Sequence, residues 1–257
     1  MFVKYEVLSS VAKITFNRAE KFNSFNREMA LEFQASLKYA QMDDTVRAIY
    51  ITAEGKAFCA GQDLSEAIDP SGPGIEKIVA EHYNPIVTLI RQIEKPIVCA
   101  VNGVAAGAGA NIAFACDITI AAKSATFIQA FSKIGLVPDS GGTYILPRLI
   151  GLQRATALMM LGEKVSADEA VLMGMIFRAV DDAELQNSAF QIAMTLANMP
   201  TKGLGLTKRL LNTSFNNNLE DQLHHEKLAQ AEAGQTEDYK EGVKAFLEKR
   251  KPVFTGK

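Results

Sequence analysis

The chain has no tryptophan and only three histidines, His82, His224 and His225. Most of the molecule therefore lacks the commonest general base and metal ligand. Cysteine is as sparse: Cys59, Cys99 and Cys116 are not in metal-ligand spacing, and the last two sit inside apolar runs. Reduced thiols are expected from this pattern, and no metal site. No uncharged apolar stretch approaches the roughly 18 residues that a membrane helix needs. Met1-Phe2-Val3-Lys4-Tyr5-Glu6 lacks the apolar core of a signal peptide, so a soluble, cytoplasmic protein with no membrane partner is expected. The formal net charge is −2 with no basic block, which argues against nucleic acid as a partner. Repeats of 20–50 residues and low-complexity tracts are also missing.

What remains is an ordinary globular composition, 48% hydrophobic and 22% charged over 257 residues. That is enough chain to bury one large α/β domain, or one and a half ordinary ones. Phe2 to Leu8 and Val11 to Phe16 flank Ser9-Ser10 and read as a hairpin. Asn26 has the chemistry of an N-cap, and Met29, Phe33 and Leu37 then share one helix face. Ala48 to Thr52 is a short strand, which gives β-β-α-β with parallel pairing. Ile75 to Ile93 reads as one helix, with His82 in a surface or packing role, and Asp69-Pro70-Ser71-Gly72-Pro73-Gly74 before it as a mobile lid. After Thr143 helices dominate. Ser166-Ala167-Asp168-Glu169 is a capping box, and from Asp181 everything but two breaks is helical. His224-His225 reads as surface. In the terminal helix Thr236 caps, Tyr239, Val243, Phe246 and Leu247 form an apolar face, and Lys249 and Arg250 occupy the last turn.

Two glycine-rich loops stand out. Glu54-Gly55-Lys56-Ala57-Phe58-Cys59-Ala60-Gly61-Gln62-Asp63-Leu64 places small residues between a strand and an expected helix start. Ile97 to Thr143 does so again: an apolar run to Val101, then Asn102-Gly103, a small-residue segment from Val104 to Ala110 and a helical run from Asn111 to Cys116. Strands at Asp117 to Ala121 and Ala125 to Gln129 follow, and the stretch closes on Gly135-Leu136-Val137-Pro138-Asp139-Ser140-Gly141-Gly142. Glycine and alanine at a strand-to-helix junction let backbone amides approach a ligand, and a helix start favours negative charge. Gly107-x-Gly109 alone fits a structural turn equally well, since it lacks the rest of a dinucleotide or phosphate-loop fingerprint. Asp139 alone fits a turn residue after proline.

Together, Phe58 to Leu64, Pro96 to Gly103, Gly107-Ala108-Gly109, Gly135 to Gly142 and Ser166 to Gly174 resemble the enoyl-CoA hydratase/isomerase (crotonase) family, in the right order over nearly the whole chain. The resemblance implies an α/β spiral of β-β-α turns over about residues 1–200. A helical region, 201–257, would then assemble trimers or dimers of trimers. It implies an acyl-CoA substrate, no separate cofactor, and an oxyanion hole made by the backbone amides of Gln62 and Ala108. Ala60, Gly61, Asp63, Leu64, Gly107, Gly109, Asn111 and Phe131 would line the substrate. Where hydratases of the family carry two glutamates this chain has Asn111 and Phe131, so hydration is not expected. Asp139 instead falls where dienoyl-CoA isomerases and aryl-CoA dehalogenases of the family carry a carboxylate. A single catalytic Asp139 suits an isomerase that moves a proton between carbons, and an apolar wall such as Phe131 would raise its pKa. Asn23 to Asn26 and Gly135 to Thr143 resemble most the branch acting on ring 1,2-epoxyphenylacetyl-CoA in phenylacetate breakdown, with oxepin-CoA as product and Phe127 and Phe131 around the ring. The alternatives are a fatty Δ3,Δ2-enoyl- or dienoyl-CoA isomerase, a dehalogenase using Asp139 as nucleophile, and a non-catalytic acyl-CoA binder. The resemblance also makes Phe246 and Lys249 candidates for contact with the CoA of a neighbouring subunit.

Overall fold

Val11 to Phe16 is buried at every position but Lys13 because it lies inside a sheet covered on both faces. In the computed structural model, which describes residues 1–257, β1 (Val3–Leu8) and β2 (Val11–Phe16) form the expected antiparallel hairpin, Leu8 opposite Val11. β3 (Ala48–Ala53), β5 (Ile97–Val101), β7 (Ile118–Ala122) and β10 (Arg178–Val180) extend it in parallel, in the order β1-β2-β3-β5-β7-β10. A second sheet joins β4 (Ala57–Cys59), β6 (Val104–Ala106), β8 (Thr126–Ile128) and β9 (Lys164–Ser166) in that order, all parallel but the last pair.

The helices are α1 (Arg27–Met42), α2 (Leu64–Ala67), α3 (Gly74–Lys77), α4 (Asn84–Gln92), α5 (Ala108–Ala115), α6 (Gly142–Ile150), α7 (Leu152–Leu161), α8 (Ala167–Met173), α9 (Leu185–Ala197), α10 (Thr201–Ser214), α11 (Leu219–Ala233) and α12 (Glu237–Leu247). Each turn of the chain lays one strand in the large sheet, one in the small sheet, and then a helix: β3-β4-α2, β5-β6-α5, β7-β8-α6. This is the spiral of β-β-α turns, closed by helices at the C-terminal end.

Apart from β8, which falls within the strand expected at Ala125 to Gln129, the small sheet was not visible as strands in the sequence. β4 and β6 are three residues each, inside segments read as loops, and three residues carry no measurable alternation. Yet this sheet is what brings the two glycine loops together. Ala57 pairs with Val104 and Cys59 with Ala105, while Ala106 pairs with Ile128. The segments leaving β4, β6 and β8 therefore emerge side by side.

Three further readings need correction. Ile75 to Ile93 is not one regular helix: a π-helical turn, Ile78–Tyr83, separates α3 from α4 and turns both His82 and Tyr83 into the core. His82 is fully buried, so its role is packing and not surface. α12 stops at Leu247, and Lys249 lies beyond it in a left-handed conformation, so Lys249 and Arg250 are not in a helical turn. α6 went unread because Pro147 sits inside it. The N-caps at Asn26, Ser166 and Thr236 form as expected, and His224 and His225 are exposed.

The three cysteines are buried and unpaired. No helix is long and apolar enough to cross a membrane. α9 covers the large sheet with Leu185, Ala189, Ala193 and Ala197, and α10 is tied to the core by Lys208, whose ammonium donates to Asp117 at 2.8 Å.

Candidate active site

The β4–α2 loop is held from behind by residues 17–25. The Arg18 guanidinium pairs with the Asp63 carboxylate at 2.7 Å and donates to the Ser24 carbonyl, and Asn23 Nδ2 donates to the Glu54 and Ala57 carbonyls. Only about a tenth of either charged side chain is exposed. Deleting one member of such a buried pair typically costs about 3–5 kcal/mol. Burial raises the pKa of Asp63, but hydrogen bonds from Ser65 and Arg18 outweigh it and hold the carboxyl below its ordinary value. With its oxygens engaged by Arg18 and by the cap of α2, the Asp63 side chain braces the loop.

The Gln62 amide is aimed by its neighbours. Phe25 N donates to Gly61 O at 2.7 Å, and Asp63 N donates to Phe25 O at 2.8 Å. In a planar trans peptide the N–H points opposite the carbonyl. Because Gly61 O faces Phe25, Gln62 N–H faces away from it, and it donates to no protein acceptor. Gly61 has φ +95°, and a Cβ there would sit 3.1 Å from Ala106 O, so only glycine fits without strain. The same imagined atom would lie 3.9 Å from Ala108 N, which measures how closely the two loops approach.

Ala108 is the first residue of α5, so its N–H has no intrahelical partner. Gly107 O accepts from Asn111 N along the helix, and the Ala108 N–H on the same peptide therefore points back out of the helix start. Gly109 lets α5 sit directly on β4: a Cβ there would be 2.4 Å from Cys59 O. Two partnerless amides, from Gln62 and Ala108, thus lie on adjacent loops, with the positive end of a helix dipole behind one of them.

Phe131 follows β8 in a 3-10 turn and its ring packs over Gly107, 3.5 Å from where a Cβ would be. Phe127, expected in the same wall, is core instead: it is 1% exposed and stacks on Phe114 at 5.3 Å. Ala60 and Leu64 are exposed at the mouth of the loop.

Asp139 is fixed by its own turn. Its carbonyl accepts from Gly142 N and from Asn111 Nδ2, both at 2.9 Å, and Asn111 Oδ1 accepts from Gln129 Nε2 at 2.8 Å. Asn111 is fully buried and spends both ends of its amide holding the Asp139 turn to α5 and β8. Ser140 and Gly141 both take left-handed conformations, and Val87 of α4 packs on the turn. Burial pushes the Asp139 pKa above the ordinary carboxylate value, opposed by one hydrogen bond from Ser140 Oγ at 2.8 Å. Its charge is felt by Tyr83, whose hydroxyl donates to Gln62 Oε1 at 2.8 Å. Tyr83 and Glu66 were not singled out in the sequence, where both read as helical residues. No cluster of three His, Cys, Asp or Glu side chains is placed to hold a metal.

Comparison with known proteins settles the family. The family model for enoyl-CoA hydratase/isomerase matches residues 6–257. The chain belongs to the enoyl-CoA hydratase/isomerase family. It is 49% identical to the 1,2-epoxyphenylacetyl-CoA isomerase of Escherichia coli strain K12, covering 100% of this chain and 99% of that one. It is 43% identical to a probable enoyl-CoA hydratase of Rhodobacter capsulatus, covering 99% and 98%. Among solved structures, a putative enoyl-CoA hydratase/isomerase from Mycobacterium abscessus superposes with TM-score 0.95 at 39% identity, over 99% of this chain and all of that one. In this enoyl-CoA hydratase/isomerase family member, the paired amides and the Asp139 turn are presented by three successive rungs of the small sheet.

Proposed function

We propose that the chain is an isomerase of CoA thioesters in which Asp139 moves a proton between two carbons of the acyl group. The Gln62 and Ala108 amides hold the thioester oxygen as it gains negative charge. The observation that carries this reading is the Asp139 carboxylate, fixed in place and raised in pKa by burial, with Asn111 and Phe131 where a hydratase would have acids. A base of raised pKa is better matched to abstracting a carbon proton. Two aligned donors supply stabilisation of order 3 kcal/mol each to the developing enolate. A proton shift of this kind needs only a base and a polarised carbonyl, so no metal, redox or covalent cofactor enters the proposal.

The substrate we infer is ring 1,2-epoxyphenylacetyl-CoA, supported by the likeness to the Escherichia coli enzyme over the full length. The proton leaves the carbon between carbonyl and ring and arrives on the ring. The ring carbon–carbon bond under the epoxide breaks, and oxygen enters a seven-membered oxepin with the formula unchanged. The same geometry serves a Δ3 to Δ2 double-bond shift in a straight chain. A comparison of kcat/KM for the epoxide, generated in situ by an epoxidase, and for 3-hexenoyl-CoA tests the assignment. A preference for the epoxide with oxepin product is expected. A preference for the aliphatic thioester with no oxepin would remove the aromatic substrate and leave the isomerase.

The helical end is proposed to assemble a trimer or a dimer of trimers. Tyr239, Val243, Phe246 and Leu247 are 56%, 44%, 83% and 74% exposed in the single chain, a cost that burial against a second copy would relieve. Phe246 and Lys249 are then available to a neighbour's CoA. Sedimentation at micromolar concentration is expected to show an oligomer, and a fully active monomer would rule the proposal out. A cytoplasmic location is the setting proposed for such a thioester enzyme.

A further inference from the structure

Resting on the oxyanion reading above, we propose that Tyr83 is a positioning residue for catalysis: its hydroxyl, through the Gln62 side chain, fixes the tilt of the Gln62 amide that meets the thioester oxygen. The backbone holds that tilt on one side only. The hydrogen bond from Phe25 N to Gly61 O is the single backbone bond that resists rotation of the Gly61–Gln62 peptide. The preceding residue is a glycine at φ +95°, which offers little torsional resistance.

The side chain supplies a second constraint. Gln62 Oε1 accepts from Tyr83 Oη at 2.8 Å, while Gln62 Nε2 donates to Glu66 Oε2 at 2.8 Å. The other oxygen of Glu66 accepts from Arg27 N at 2.8 Å, in the first turn of α1. The amide side chain is thus stretched between two fixed points on different elements. One is the π-helical turn, the other Glu66 of α2, itself tied to the start of α1. Tyr83 itself has no freedom: it is 0% exposed, and its ring packs on Phe25 at 6.1 Å, the residue whose backbone flanks Gln62 on both sides.

The π-helical turn is what places it. The widened turn carries two consecutive large side chains, His82 and Tyr83, both into the core. The energetic cost of that widened turn is expected where function retains it. Burial, foremost, and the neighbouring Asp139 and Glu66 charges keep the phenol protonated, so it remains a donor across the working pH range.

The test uses the full-length enzyme, with Tyr83→Phe and Gln62→Met as single and combined variants. Tyr83→Phe keeps the packed ring and removes only the hydroxyl. Its kcat is expected to fall about tenfold with KM changed less than about twofold, the scale of one lost hydrogen bond felt mainly in the transition state. The combined variant is expected to be no slower than the slower single, because both break one link. The structural signature is the infrared carbonyl band of bound phenylacetyl-CoA carrying ¹³C at the thioester carbon. Wild type should shift it to lower frequency, and Tyr83→Phe should lose much of that shift. A wild-type enzyme that leaves the band unshifted overturns the oxyanion reading and the strap with it. A wild-type shift that persists in Tyr83→Phe, or rate losses that multiply in the combined variant, overturns the strap alone.

Discussion

Asp139→Asn is expected to lower kcat about a thousandfold while KM changes little, since the substitution removes the proposed proton carrier and leaves the loops around it in place. The loss should not come from unfolding. The turn is held by the Asp139 carbonyl, bonded to Asn111 Nδ2 and Gly142 N, and Asn retains that carbonyl. The sign of the stability effect follows from the pKa. A carboxyl raised in the folded state above its unfolded value disfavours the fold once ionised. The penalty appears as pH rises through the unfolded value, about 3.9, and is complete above the folded one. At neutral pH the neutral variant should therefore melt at or above the wild-type temperature. The same shift sets the pH profile. Wild-type kcat/KM should fall on the acid side with a midpoint above the ordinary carboxylate value, and that limb should vanish from the residual activity of the variant. A variant within tenfold of wild type would mean that another group carries the proton.

Ala108→Pro should cost a factor of about 10²–10³ in kcat, the usual consequence of losing one oxyanion donor. The position makes this an unusually clean deletion of a backbone N–H. Ala108 opens α5, where proline is well tolerated because the amide has no helical acceptor to lose. Gly107, the residue before it, has ψ −123°, away from the α region that a following proline disfavours. Helix content and melting temperature should stay near wild type. Ala108→Ser, which keeps the N–H, serves as the control and should retain activity within a fewfold. Full activity in Ala108→Pro would show that the thioester oxygen is held elsewhere.

How much of this was legible in the sequence depends on where the signal was strong. Gly61, Gly107 and Gly141 mark the loops because a left-handed φ is a local constraint that glycine fills, and Gly109 and Gly142 because neither has room for a Cβ. Asp139 stood out as a carboxylate amid turn residues. Of the small sheet only β8 was read, within Ala125 to Gln129; β4 and β6 were invisible because a three-residue strand has no period, although they set the loops side by side. Side-chain roles that depend on distant partners were also hidden. Nothing near Asp63 in sequence announces Arg18, and nothing near Asn111 announces that its amide clamps a turn 28 residues away. Tyr83 lay in a run of helical character, where an aromatic reads as core. Only the π-helical turn reveals that its hydroxyl meets Gln62.

The central claim is that Asp139 moves a carbon-bound proton next to a thioester carbonyl polarised by two amides. Phenylacetyl-CoA, which carries that acidic carbon and no epoxide, isolates the step. Incubated with the enzyme in D₂O and followed by proton NMR, its C2 hydrogens should exchange for deuterium with wild type. With Asp139→Asn the exchange should slow at least a hundredfold. Exchange at the same rate in both proteins would contradict the assignment of Asp139 as the base, whatever the natural substrate proves to be.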